Sequence, residues 1–189
     1  MSTNTSTNTL SRSLHDVGLA AWFGGTLANA TALNPAAAEA DSPSKSGAVA
    51  NTGWDRWTPV NAAAIGAHVL GSIGMLTSDA GRVSAQKGAR STILLKTGLT
   101  AAALGLTAYS RVLGKRVSAQ HDVPAESGTE PAASTPPEVA AAQRQLSMLQ
   151  WAIPAVTGAL VVISAQAGEE QRPSSVLGGL AAHLPGVAG

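Results

Sequence analysis

The chain has 189 residues and a formal net charge of +1, and only 12% of its residues are charged. That leaves no basic field to hold nucleic acid and no acidic tail for a basic partner. With no cysteine, disulfide frameworks, thiolate metal sites and cysteine nucleophiles are excluded. Four Trp, one Tyr and one Phe are few large rings for a soluble core of this length. Ala, Gly, Leu, Val and Thr dominate instead, as in membrane helices that pack backbone to backbone.

Residues 1–13 form a polar Ser/Thr/Asn-rich tail. An uncharged run at 17–33 follows, and with His15 it predicts a first helix over 14–33. Arg12, this run and the stretch 34–40 resemble a secretory signal and its cleavage site. Gly24, Gly25 and Asn29 inside the run favour a packed helix over a signal. The connector 34–56 carries Pro35, Pro43, Asp41, Lys45 and Asp55, and predicts an irregular segment. Three more weakly charged runs predict helices over about 57–78, 91–112 and 146–168. Each is long enough to cross, or nearly cross, a ~30 Å hydrocarbon layer at ~1.5 Å per residue. Between the third and fourth, residues 117–138 hold Pro124, Pro131, Pro136 and Pro137, a composition that predicts a flexible loop outside the membrane. Residues 169–189 end the chain as an apolar tail too short to span, suited to an interface or a docking role. The expected fold is all-α: a four-helix transmembrane bundle over 14–168, multi-pass in the plasma membrane.

Polar residues recur every seven positions, which returns each set to nearly one helix face. The sets are His15, Trp22 and Asn29; Asn61, His68 and Met75; Lys96 and Ser110 with Thr100 and Thr107 nearby; and Gln150, Thr157 and Ser164. Lipid satisfies no donor or acceptor, so such stripes turn inward. Setting Trp22 beside His68 in an antiparallel pair places His15 near Met75, Asn29 near Asn61, and Lys96 on the side of His15 and Asp16. His15, His68, Met75 and Lys96 are therefore the candidate cofactor-binding residues. In this register the two histidines stand about 10 Å apart along the axis, which is awkward for a shared haem and favours His15 with Met75 as an axial pair. Structural roles compete with this: headgroup-level placement for His15, snorkelling for Lys96, and one interhelical hydrogen bond for His68. Small-residue pairs Gly24/Ala28, Ala67/Gly71 and Ala101/Gly105 predict the faces of closest helix approach. No phosphate loop, nucleophile triad, dinucleotide fingerprint, metal-protease helix or paired-carboxylate pattern is present.

The segment LHDVGLAAWFGG from Leu14 to Gly25 resembles the first helix of copper-resistance D-type proteins and of the four-helix protoporphyrinogen oxidases. That likeness implies a haem-ligand position at His15, with Lys96 as a counterpart of the oxidases' basic residue. Over most of its length, with WTPVNAAAIGAHVLGS and LKTGLTAAALGLTAYSRVLGKRV, the chain resembles a family of small four-helix actinobacterial membrane proteins, which implies the fold and no activity. Two functions are expected. The first is a non-enzymatic scaffold or accessory subunit of a larger membrane assembly, in contact with lipids, a protein partner or a second copy, and a lipid-like molecule such as a quinone. The second is a redox or cofactor-binding protein holding haem or a metal through His15, His68, Met75 and Lys96.

Overall fold

The computed structural model describes residues 2–85, 87–119 and 123–170, with side chains at 8–78, 90–119 and 123–169. Four long helices make up most of it: α1 (Ser2–Ala28), α3 (Pro43–Ala85), α4 (Lys87–Ser118) and α5 (Pro137–Glu170). A π-helical turn at Asn29–Leu33 and the short α2 (Asn34–Ala38) link α1 to α3. No strand occurs among the described residues. Three stretches are long and apolar enough to cross a membrane, Pro43–Ser78, Arg90–Ser118 and Pro137–Glu169. The first helix, continuous with the polar tail from Ser2, is not among them, so a fourth span is not shown. The apolar C-terminal tail expected at 169–189 lies almost wholly outside the described residues.

The helices run further than uncharged length predicts. The connector 34–56 is helical over most of its course, and Asp55 and Arg56 sit inside α3. Charges at a helix end reach water or headgroups and do not terminate the backbone ladder, so charge-free runs mark the buried centre and miss the ends. The irregular step falls where proline dictates it. Pro35 has no N–H, and its ring crowds the carbonyl four residues back. The preceding turn widens, and the Asn34 N–H reaches back to the Asn29 carbonyl.

Helix α1 packs along α3 and α5, and α4 along α5, whereas α3 and α4 touch little although they are consecutive. The α1–α3 seam is a backbone contact. A Cβ on Gly18 would lie 2.5 Å from the Ala64 carbonyl oxygen and from the His68 nitrogen. One on Gly71 would lie 2.3 Å from the His15 nitrogen and 2.5 Å from the Ser11 carbonyl oxygen. Of the expected small-residue pairs, Ala67/Gly71 lies on this seam. The other two do not mark close approach: Gly24, Ala28, Ala101 and Gly105 are exposed, and neither glycine has a neighbour in Cβ reach. Alanine and glycine are so frequent here that spacing four also arises on outward faces.

Trp22 is fully buried where the four long helices meet, against Ala64 of α3, Ala103 and Leu104 of α4 and Val156 of α5. A second cluster joins α4 to α5 through Leu113, Val117, Val139, Leu149 and Ile153, and Val123 of the following loop packs into it. The outward faces carry Val17, Leu70, Ile73, Leu94, Leu95 and Val112, a surface compatible with lipid contact.

The seam yields a direct test. Gly18→Leu and Gly71→Leu should each destabilise the bundle by about 3 kcal/mol or more, since overpacking here meets backbone and not a yielding side chain. Gly24→Ala and Gly105→Ala should be neutral, or stabilising by up to about 1 kcal/mol from helix propensity. Thermal unfolding in detergent separates the two sets, and equal tolerance at all four positions would refute the packing.

Candidate functional site

Two polar features occupy the interior. The first is a histidine pair between α1 and α3. The His15 and His68 rings lie with centroids 4.5 Å apart and tilted by 46°, and both residues are almost wholly buried. This corrects the expected separation of about 10 Å. Spacing gave the right face but placed α3 about one turn out of register, because the contacts at Gly18 and Gly71 set the level and not Trp22. The Asp16 carboxylate only accepts, so His15 Nδ1 donates to it, at 2.7 Å, and the neutral ring presents a bare Nε2. That Nε2 is buried without a partner. His68 Nδ1 donates to the His15 carbonyl at 3.3 Å, and its Nε2 accepts from the Thr100 hydroxyl at 3.4 Å. Trp22 stands edge-on to His68 at 6.1 Å and donates to Thr107 Oγ1 of α4 at 3.3 Å.

Lys96 is half-buried on α4, one turn before Thr100, whose hydroxyl meets His68 Nε2, so it shares the histidines' end of the bundle. Met75 does not face His15. Its neighbour Gly74 meets the Ser11 side chain, which puts Met75 a turn nearer the start of α1. A haem shared by the two histidines does not fit this arrangement. Rings in contact leave no room for a macrocycle between them, and both His68 nitrogens are engaged. No cluster of three or more His, Asp or Glu side chains suited to a metal occurs among the described residues.

The second feature was not anticipated. Where α3 and α4 diverge, a cleft of about 300 Å³ opens, closed behind by α5 and at one end by Gly128 and Thr129 of the loop. Ile65, Leu104, Leu149 and Ile153 supply its apolar wall. Three of its lining groups hold buried polar atoms without a partner: Trp57 Nε1, Asn61 Oδ1 and Thr129 Oγ1. Each such atom costs about 1–3 kcal/mol when left unmade, so their convergence on one cleft marks it as a binding site candidate. Arg111 stands at the mouth, donating to Asp55 at 3.3 Å across the α3–α4 gap. The sequence signal available was Trp57 and Asn61 at spacing four, one face of α3. The loop's contribution had none.

The loop end is held by Asn34, which is 2% exposed. Its Nδ2 donates to Gln150 Oε1 of α5 at 2.7 Å, and its Oδ1 accepts from Trp54 Nε1 of α3 at 3.1 Å. Its carbonyl accepts from the Gly128 N–H at 3.2 Å. A Cβ on Gly128 would lie 2.1 Å from that same Oδ1, so only glycine lets the loop approach. Pro43 O accepts from Ala125 N at 3.0 Å and Pro124 O from Thr135 Oγ1 at 2.6 Å. Val123, Ala125, Thr129, Ala132 and Thr135 are all buried. The loop composition predicted little to pack, yet residues 123–136 cap the bundle through backbone bonds and small side chains that composition does not reveal.

Compared with family models, curated proteins and solved structures, the chain matches none.

Asn34→Leu should strand Trp54 Nε1 and Gln150 Oε1 together and destabilise the protein by about 2–5 kcal/mol. Limited proteolysis followed by mass spectrometry should then show new cleavage within 123–136. An unchanged melting temperature and digestion pattern would remove Asn34 from this role.

Proposed function

We propose that the chain is an integral plasma-membrane accessory subunit, non-enzymatic in itself, whose bundle holds a lipid-like molecule in the cleft between α3 and α4. The observation that carries this reading is the presence of Trp57, Asn61 and Thr129, each with an unpartnered buried polar atom, in one cleft whose surface is mainly apolar. An aliphatic body suits the wall, and a polar head suits the three atoms. Ala62 and Ala108 are exposed and small at the cleft's edge, which gives a lipid-dissolved molecule a lateral way in. A scaffold role follows from the same chemistry, since a subunit that presents a bound lipid-like molecule on its flank serves a neighbour in the membrane. That neighbour is a protein partner or a second copy.

The test is native mass spectrometry of protein extracted from membranes in mild detergent. Wild type should retain a lipid-sized adduct, and Ala62→Trp, which fills the mouth from an exposed position, should reduce its occupancy at least tenfold with the melting temperature unchanged. A bare wild-type protein, or equal occupancy in the variant, would end this reading.

One observation favours the cofactor alternative: His15 Nε2 is buried and unpartnered beside His68. A ligand role for His15 makes Asn and Leu equally damaging there, because an amide is a poor substitute for imidazole in a coordination sphere. A structural role makes Asn the better tolerated, with a modest loss for Leu, near the ~0.6 kcal/mol average of interhelical hydrogen bonds in membranes. The expected outcome is the structural one. An absorption spectrum with a Soret band lost in His15→Asn would reverse it.

A further inference from the structure

The cleft's polar atoms differ in kind, and that difference constrains the head of what it binds. Trp57 Nε1 only donates, Asn61 Oδ1 only accepts, and the Thr129 hydroxyl does either. Trp57 and Asn61 stand four apart on α3, so their polar groups address one region. The Trp57 ring lies against Gly25, where a Cβ would come within 1.8 Å of it, and this seating holds the indole in place. Thr129 is 3% exposed and comes from the capping loop, so a buried hydroxyl joins the lining from outside α3.

Charge has no comparable place there. The one charged lining residue among the described residues is Arg111, and it is at the mouth, part-exposed and paired with Asp55. The lining has no unbalanced cation to hold a carboxylate or a phosphate, and an anion drawn in among these groups would lose hydration without a partner.

We infer that the cleft takes a neutral amphipathic molecule with a single apolar chain and a head bearing both a hydroxyl donor and a carbonyl-type acceptor, as a fatty-acyl monoester of glycerol does. Its carbonyl accepts from Trp57 Nε1, its hydroxyl donates to Asn61 Oδ1, and Thr129 serves whichever remains. This rests on the cleft being a lipid-like site, and the test separates the two.

Purified full-length protein is offered monoolein, methyl oleate and sodium oleate at equal micellar mole fraction, and occupancy is read by native mass spectrometry. The three share a chain and differ in head: donor with acceptor, acceptor alone, and anion. Monoolein should exceed both others at least tenfold in occupancy ratio. Asn61→Leu should bring monoolein within threefold of methyl oleate, because only the donor contact is lost. Trp57→Phe should weaken both esters, since both carry the carbonyl. Thr129→Val offers a second variant should Asn61→Leu fail to fold, and it too should narrow the preference. Equal binding of monoolein and methyl oleate, preference for oleate, or a monoolein preference untouched by both Asn61→Leu and Thr129→Val would overturn the assignment of the head while leaving a lipid site standing. Binding of none of the three would overturn both.

Discussion

The close approach of α1 and α3 sets the rest of the bundle. At Gly18 and Gly71 each helix presses its backbone against the other with no side chain between. Two glycines on opposing helices, offset by about a turn, fix both the separation and the vertical register, because neither helix can slide without driving a side chain into a carbonyl. Close backbone contact of this kind gains van der Waals packing along the whole seam, one of the forces that associate small-residue helices. The register then places the His15 ring on His68 and leaves Trp22 facing the junction with α4 and α5. A large indole at that junction spaces α4 from the α1–α3 pair. The separation of α3 from α4, and hence the cleft, follows from a tight seam on one side and a bulky residue at the centre.

The opposite end depends on a different device. Pro35 interrupts the first helical stretch, the turn before it widens, and Asn34 becomes available to three other segments, two through its carboxamide and one through its main-chain carbonyl. A buried carboxamide has two donors and an acceptor oxygen to satisfy; here Trp54 of α3 and Gln150 of α5 partner it, while the capping loop bonds the main-chain carbonyl of the same residue. The loop therefore belongs to the cleft's architecture, and Thr129 reaches the interior because Gly128 can lie against Asn34.

The inward direction of the polar stripes was legible in part. His15, Trp22, Asn29, His68 and Thr157 are buried, whereas Asn61, Met75, Lys96, Ser110, Gln150 and Ser164 are only half-buried. What spacing could not convey was level. A heptad repeat specifies a face but is nearly invariant to sliding by one turn, so His15 and His68 were expected a turn or two apart and are in contact. Helix ends were hidden because charged residues such as Asp55 and Arg56 end a hydrophobic run without ending a helix. The cleft was hidden because it is made by the divergence of two consecutive helices and by loop residues whose composition reads as solvent-exposed. A missing contact leaves no periodic trace.

The two polar features divide by whether their hydrogen bonds are made within the chain. Around His68 they are: Nδ1 meets a carbonyl, Nε2 meets Thr100, and the neighbouring Trp22 meets Thr107. A satisfied set of this kind specifies which helices pair and at what level, and it has nothing left to offer a ligand apart from His15 Nε2. In the cleft three are not: Trp57 Nε1, Asn61 Oδ1 and Thr129 Oγ1 lack partners, although Trp54, Thr58, Ser110 and Gln150 of the same lining have theirs. Thr107 lines the cleft and also accepts from Trp22, so the satisfied set directly walls the unsatisfied one. A bundle that left Trp57, Asn61 and Thr129 unpaired would lose stability with no structural return, whereas replacing them by apolar residues of similar shape would remove that loss without disturbing the seam. Under the proposed function their missing partners would come from the bound molecule, with Thr107 joining that site to the satisfied histidine side.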